Sequence, residues 1–210
     1  MFNTRLVFDT AFTFLSYEIS WIELVGVVFG LLSVGFAIRA KVWAWHLSIV
    51  SQAAYFFLFY HINLYSDVFL QVFFTIISIY GIKNWRQAVN NDDLPILRLS
   101  MKAILAISVT LIAATAIWGS FIAHIHELLP VYFAEAASFP YSDGFIAMAS
   151  VAAITLQARR YLEAWVLWTV VNAVAAALYQ YKGIYYTSVL YLVFLGMGLG
   201  GWVAWRKKIG

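Results

Sequence analysis

Residues 64–74, "LYSDVFLQVFF", align without a gap with residues 184–194, "IYYTSVLYLVF", at a separation of 120 residues. The correspondence extends without a gap over residues 22–86 and 142–206. Identical or similar side chains recur throughout this range, namely Arg39 and Arg159, Trp45 and Trp165, Gln52 and Asn172, Gly81 and Gly201, Trp85 and Trp205, and Arg86 and Arg206. Self-similarity at one fixed long period predicts a fold with two copies of one structural unit.

The composition places both copies in a membrane. Of the 210 residues, 64% are hydrophobic and only 11% are charged, whereas soluble domains carry about 25% charged residues. The mean hydropathy is +0.84. The chain has no cysteine, which excludes disulfides and thiolate metal sites. A net charge of +3 is too small to indicate a nucleic-acid partner.

Seven segments are apolar and long enough to approach the roughly 20 residues that a membrane-spanning helix needs. An eighth segment, Leu6–Tyr17, is short and contains Asp9. It either crosses as a short span, which we favour slightly because Arg5 would then join the other cations, or forms an interfacial helix. The seven predicted spans are Ile22–Ile38, Val42–Tyr60, Leu64–Ile82, Met101–Ala123, Gly144–Gln157, Leu162–Tyr179 and Ile184–Trp205.

Positive charges are concentrated in every second loop. They follow the first, third, fifth and seventh spans, and the positive-inside rule therefore predicts a cytoplasmic C-terminus. Three spans repeated directly would invert the second copy, so the unpaired fourth span restores a parallel orientation. We predict an all-α integral membrane protein of 3+1+3 architecture. Its parts are an N-terminal segment (1–20), a first three-helix repeat (21–87), a linker helix (88–125) and a second three-helix repeat (126–208).

Polar side chains inside spans usually face a bundle interior or a cavity. Trp165, Trp168 and Asn172 share one helical stripe, and Trp45, Ser48 and Gln52 share another. The third span carries a polar ridge that includes Gln71 and Thr75, and Tyr191 occupies the repeat position of Gln71. Helix–helix contacts are the simpler explanation for a single amide. Symmetric amides beside symmetric tryptophans favour an uncharged site for a flat, cationic ring with hydrogen-bonding groups.

Catalytic and metal sites are not predicted. The spans contain no buried carboxylate pair for proton coupling, and no phosphate-binding glycine loop appears. "HIHE" (124–127) lacks the histidine spacing of a zinc hydrolase helix, so a membrane enzyme or sensor is the weaker alternative. Trp85 and Trp205, each beside an arginine, are interpreted as anchors at the membrane interface.

The sequence resembles the PnuC family of vitamin transporters. The similar stretches are "SWIELVGVVFGLL" (20–32), "LYSDVFLQVFFTIISIYG" (64–81), "YQYKGIYYTSVLYLVFL" (179–195) and the W-x-x-W-x-x-x-N run at Trp165, Trp168 and Asn172. The resemblance covers nearly the whole chain from Ser20 to Arg206. It implies the 3-1-3 fold shared with the SWEET sugar transporters, and it places Trp165, Trp168 and Asn172 in the substrate site.

The same resemblance implies a function. PnuC proteins import nicotinamide riboside across the bacterial inner membrane by facilitated diffusion, without a cofactor or coupling ion, and a cytoplasmic riboside kinase traps the product. Relatives that carry thiamine or riboflavin look similar, and they remain the alternative. The polar stripes and the parallel repeat favour alternating access about a central site. The fourth span, which lacks a repeat partner, is where a homo-oligomer would make its subunit contact.

Overall fold

A short β-hairpin precedes seven long α-helices in the part of the chain that the structure describes. This computed structural model describes residues 8–14, 17–61, 65–86, 95–129 and 136–209. The hairpin strands are β1 (Thr10–Phe14) and β2 (Tyr17–Ser20). The helices are α1 (Trp21–Ile38), α2 (Trp43–His61), α3 (Tyr65–Arg86), α4 (Met101–Leu128), α5 (Pro140–Ala158), α6 (Glu163–Tyr181) and α7 (Tyr185–Arg206).

The helices correspond to the seven predicted spans. Four of them are long and apolar enough to cross a membrane within the described residues, over Trp21–Ile38, Asp67–Arg86, Met101–Leu128 and Tyr185–Arg206. The other three, α2, α5 and α6, have 19 residues each, which gives a length of about 28 Å at 1.5 Å per residue. The polar residues within these three helices lower their mean hydropathy. The chain is therefore an all-α membrane protein apart from its hairpin.

The N-terminal segment differs from the prediction. Thr10–Phe14 and Tyr17–Ser20 pair as antiparallel strands, so the helix or short span expected for Leu6–Tyr17 is wrong over the described residues. The β-branched threonines and the aromatic phenylalanines of this segment favour a strand over a helix. A two-stranded hairpin leaves backbone groups unpaired at its edges and cannot cross hydrocarbon. The amide of Trp21 donates to the carbonyl of Asp9 and ties the hairpin to α1.

Two groups of helices, α1–α3 and α5–α7, form the body of the protein. Neighbouring helices pack within each group, and α1–α7 and α3–α5 contacts join the groups. Buried hydroxyls pin neighbours together: Ser51 Oγ donates to Gly26 O at 2.7 Å, and Ser188 Oγ donates to Ala176 O at 2.9 Å. Such bonds replace lost contacts with water in an apolar interior.

The loops that end α1 and α5 have the same backbone geometry. Ala40 and Arg160, which are 120 residues apart, both adopt positive φ angles, 56° and 65°. Each lies in a turn in which the next amide, that of Lys41 or Tyr161, donates to a carbonyl five residues earlier. The local geometry thus follows the repeat in the sequence. A rotation axis along the membrane normal that relates the two groups stays a prediction.

The fourth helix, α4, packs against α5. Contact is close because the two helices meet at Gly119 and Gly144, where a Cβ at Gly144 would lie 3.2 Å from the Gly119 nitrogen. Most of the remaining α4 surface is exposed. In a membrane this apolar surface faces lipid or another protein, and α4 contributes nothing to the interior between the two groups.

Candidate functional site

A cavity of about 290 Å³ lies between the two helix groups. Side chains from α1, α2, α3, α5, α6 and α7 line it. Eight of the nine residues predicted from sequence are among them, namely Trp45, Ser48, Gln52, Gln71, Trp165, Trp168, Asn172 and Tyr191. No Asp, Glu, Lys, Arg or His is among these lining residues. The cavity wall is therefore uncharged, with aromatic rings, amides and hydroxyls as its functional groups.

A cluster of four tryptophans lies at one end of this cavity, and we call it the tryptophan quartet (Trp45, Trp85, Trp165 and Trp205). Trp45 meets Trp85 edge-on with 5.3 Å between ring centroids, and Trp165 meets Trp205 in the same way at 5.5 Å. Trp85 and Trp205 meet at 5.8 Å. Such aromatic pairs add about 0.5–1.5 kcal/mol each beyond the area that they bury.

Trp85 and Trp205, the two members of the quartet that do not line the cavity, join the helix groups. Trp85 Nε1 donates to the carbonyl of Ala158 at 3.1 Å, and Trp205 Nε1 donates to that of Ala37 at 2.9 Å. Each bond therefore runs from the last turn of one group to the opposite group. Both rings are fully buried, so the interpretation of Trp85 and Trp205 as interface anchors is wrong. The arginine that follows each of these tryptophans in the sequence suggested an interface position, whereas both rings lie in the core.

The other two members of the quartet, Trp45 and Trp165, line the cavity. Trp45 and Trp165 are almost completely buried, and their Nε1 atoms have no hydrogen-bond partner within the described part of the chain. Their rings lie flat against glycines, because a Cβ at Gly81 or Gly201 would come within 2.4 Å of the indole carbons. The matching Trp–Gly contacts, again 120 residues apart, explain why small residues occur on α3 and α7. They set the position of each indole at the cavity wall.

Gln52 is held by hydroxyls on α3. Its Nε2 donates to Ser78 Oγ at 3.1 Å, and its Oε1 accepts from Thr75 Oγ1 at 3.1 Å. Ser78 in turn lies 2.9 Å from Ser48 Oγ. Thr75, the ninth predicted residue, does not line the cavity and contacts Gln52 instead. Helix–helix bonding and exposure to the cavity thus coexist at Gln52, although Thr75 Oγ1 also donates to the carbonyl of Gln71 at 2.8 Å.

Asn172 differs from its repeat partner. It is 6% exposed and lines the cavity, and its side-chain amide makes no hydrogen bond with any residue that the structure describes. Its amide atoms are not among the fully buried polar atoms that lack a partner, so they border the open space of the cavity. In Asn172 the donor and the acceptor are both available to a ligand, whereas Gln52 is already engaged.

The structure also brings residues to the site that sequence reasoning missed. Gln157 Oε1 accepts a hydrogen bond of 2.7 Å from Trp168 Nε1, which orients that indole. Tyr55 and Phe194 also line the cavity. Gln157 is the repeat partner of Ala37, and Tyr55 is that of Ala175. A search for symmetric polar pairs could not find them. The only signal in the sequence was their position on the same helical face as other residues that line the cavity.

These features define an α-helical membrane protein with a small-molecule cavity between two groups of helices, where carriers commonly bind their substrates. The chain belongs to the nicotinamide mononucleotide transporter family, whose model matches residues 20–207. With its apolar helices, this membership makes it a multi-pass bacterial membrane protein of a transporter family. The family resemblance seen in the sequence is confirmed.

Individual relatives support the same assignment. The chain is 28% identical to the nicotinamide riboside transporter PnuC of Escherichia coli, over 90% of this chain and 86% of the relative. It is 24% identical to the riboflavin/roseoflavin transporter RibM of Streptomyces davaonensis, over 93% and 89%. A crystal structure of the vitamin B3 transporter PnuC shares the fold with a TM-score of 0.69 at 22% identity, over 90% of this chain and 82% of that one.

Proposed function

We propose that this protein carries nicotinamide riboside across the membrane by facilitated diffusion. The observation that carries the proposal is the uncharged cavity wall of indoles and amides. Nicotinamide riboside combines a cationic pyridinium ring, a carboxamide and a ribose. Indole faces attract such a ring by about 0.5–2 kcal/mol each, and the free amide of Asn172 complements the carboxamide. The relatives named as riboside transporters support this choice.

The charge of the wall separates the riboside from its phosphorylated form. A mononucleotide brings a phosphate with a charge of about −1.5 to −2 at neutral pH. No lysine or arginine is among the residues that line the cavity, so the phosphate would lose its hydration without a compensating partner. The cavity therefore favours the riboside over the mononucleotide, although the description of the family names the mononucleotide. Riboflavin, the cargo in the name of one relative, has a larger three-ring system, and it and thiamine remain the alternative substrates.

In the proposed site, Trp168 and Trp165 contact the pyridinium ring, Asn172 and Gln71 bond its polar groups, and Tyr191 contacts the ribose. Trp45, Ser48 and Gln52 complete the wall from the first helix group. Thr75 acts through Gln52 because it lies behind that side chain. Trp168 keeps its orientation through Gln157, which makes one face of the site rigid before substrate arrives.

Replacement of Asn172 by leucine tests this site. Asn172→Leu keeps the approximate volume but removes both hydrogen-bonding groups, so we expect riboside affinity to fall about tenfold or more. Gln180→Leu on the exposed end of the same helix is the matched control. Calorimetric titration with nicotinamide riboside, its mononucleotide, thiamine and riboflavin measures the effect. Unchanged binding in Asn172→Leu would refute the site, and tighter binding of thiamine or riboflavin than of the riboside would refute the substrate.

We infer alternating access as the transport mechanism. The hydrogen bonds of Trp85 and Trp205 run between the helix groups at one end of the cavity. Separation of the groups at that end would break both bonds and open the cavity there. A transporter that exchanges radiolabelled riboside, but passes no current of small ions, is the expected behaviour. A continuous ion conductance would contradict the mechanism.

We further propose that the end with Arg39, Arg86, Arg159 and Arg206 is cytoplasmic, and that a cytoplasmic kinase traps the riboside there. The positive charges concentrated in these loops support the orientation. Because the chain lacks cysteine, a single cysteine introduced at Lys207 reports its own side of the membrane to a membrane-impermeant thiol reagent. Labelling by that reagent in intact cells would overturn the orientation. Equal uptake with and without the kinase would overturn the trapping step.

We keep a homo-oligomeric contact on α4 as a proposal, supported by the exposed surface of that helix and its limited packing within the chain. The mass of the detergent-solubilised protein tests it, and a monomer would overturn it.

A further inference from the structure

Glu23, at the start of α1, is a buried carboxylate outside the cavity wall. It is 9% exposed. Its Oε2 accepts a hydrogen bond of 3.2 Å from the hydroxyl of Tyr17, which lies on the hairpin. The backbone amide of Ser20, the N-cap of α1, also bonds this carboxylate, and no Lys, Arg or His forms an ion pair with it among the described residues. Burial of an unneutralised carboxylate is costly, and such groups inside membrane proteins usually serve function.

The second repeat shows what is missing around Glu23. Its repeat partner is Asp143, and both carboxylate oxygens of Asp143 accept from Lys182 Nζ, at 3.3 and 3.4 Å. The residue 120 positions before Lys182 is Ile62, which carries no charge. At the position that matches Lys182 the first repeat therefore has no cation, and no Lys, Arg or His that the structure describes pairs with Glu23. Glu23 has the acceptor capacity for a bound cation.

Aromatic rings surround this carboxylate. Tyr17 and Tyr186 stack with 4.9 Å between their centroids and 6° between their planes, and Phe14 meets Tyr186 edge-on. Tyr55 packs against Gly26, three residues after Glu23 on α1, because a Cβ at Gly26 would lie 3.0 Å from its ring, and it also lines the central cavity. A carboxylate among aromatic faces is the chemistry that recognises aromatic or quaternary cations.

The hairpin holds Tyr17 as a hydrogen-bond donor. Burial and the negative charge of Glu23 raise the pKa of Tyr17 to about 12. Its hydroxyl therefore stays protonated at physiological pH and keeps one oxygen of Glu23 occupied. The carboxylate keeps lone pairs that neither Tyr17 nor Ser20 occupies, and these remain available to a ligand.

We propose that Glu23, Tyr17, Tyr55 and Tyr186 form an entry site for N-substituted pyridinium cations at the hairpin end of the cavity. The entry site is separate from the central cavity, and Tyr55 connects the two. Its assignment to transport rests on the proposed function. A cation held here by one carboxylate loses little hydration, and it then moves past Tyr55 to the uncharged wall, where the indoles replace the charge interaction.

A charge-selective comparison tests the entry site. The probes are nicotinamide riboside, its uncharged dihydro form, and the 1-methylnicotinamide cation, which lacks the ribose. In Glu23→Gln we expect the KM for uptake of the cationic riboside to rise about fivefold or more, as for loss of one partly screened charge pair. The maximal rate and the KM for the dihydro form should not change. Glu18→Gln, on the exposed part of the same hairpin, is the control and should change none of these.

A second variant and a second measurement separate the outcomes. Tyr186→Leu removes an aromatic face and should produce the same selective loss for cations. The entry site is refuted if Glu23→Gln keeps the wild-type preference for the cation, or weakens both ribosides equally. If wild-type protein binds neither riboside, the proposed function fails. Calorimetric binding of 1-methylnicotinamide that is lost in Glu23→Gln would then still support the entry site, and its absence would refute that site too.

Discussion

The contact between Gly201 and Trp165 offers the sharpest test of how the cavity is built. In Gly201→Ala, the new Cβ would lie 2.4 Å from indole carbons Cδ2 and Cε3, whereas carbon atoms pack at about 3.5–4.0 Å. The ring must therefore move by about 1 Å. It is 1% exposed and pressed edge-on against Trp205, so it can move only towards the cavity or by parting α6 from α7.

Overpacking of this kind costs about 1–3 kcal/mol. If the cost appears in stability, the thermal midpoint in detergent falls by about 2–4 °C per kcal/mol. If the ring enters the cavity, riboside affinity falls about 5–150-fold for the same energy. Gly200→Ala is the control, because its Cβ meets nothing within 4 Å and alanine favours a helix by up to about 1 kcal/mol. Calorimetry and thermal melts on both variants decide. Wild-type stability and affinity in Gly201→Ala would refute the packing argument.

Two further substitutions probe hydrogen bonds around the cavity. Trp168→Phe leaves Gln157 Oε1 without its 2.7 Å donor. We therefore expect the free energy of unfolding to fall by about 1–3 kcal/mol, measured by a thermal melt. Recovery of stability in a Trp168→Phe, Gln157→Leu double variant would show that the cost lies in the orphaned amide, and no recovery would contradict this. Trp205→Phe removes the bond to Ala37, whose carbonyl still accepts from Ala40. The hydrogen bond itself should account for about 0.5–1.5 kcal/mol, and the smaller ring also leaves a void among the quartet, so the total loss of stability should exceed that of the hydrogen bond. An unchanged thermal melt would contradict this accounting.

Much of the cavity could be predicted because membrane helices restrict where polar side chains lie. A period of 3.6 residues placed Trp165, Trp168 and Asn172 on one stripe, and the repeat identified Trp45 and Gln52 as their counterparts. All five line the cavity. Apolar length was equally informative about the number of spans, since it depends on composition along a single helix.

Prediction failed where a residue's role depends on another helix. Trp85 and Trp205 have the local sequence of interface anchors, yet they bond to carbonyls on the opposite group. Thr75 lies on the predicted polar ridge but faces Gln52. Gln157 was hidden because its partner in the repeat is an alanine.

The N-terminal segment failed for a different reason. Its apolar residues satisfied a count of hydrophobicity, but the threonines and phenylalanines of "TAFTF" (10–14) are residue types that favour a strand. Hydropathy alone does not distinguish a strand from a helix in so short a segment.

By itself, the sequence determined that this chain is a helical membrane protein, that it resembles a vitamin transporter family, and that its polar stripes face inward, and it predicted an internal repeat. These properties follow from composition and from the geometry of single helices. Only the tertiary structure decided which stripes meet, that the tryptophan quartet lies at one end of the cavity, and that Glu23 forms no ion pair among the described residues whereas Asp143 pairs with Lys182. Those properties depend on distances between residues far apart in the chain, which no local pattern encodes.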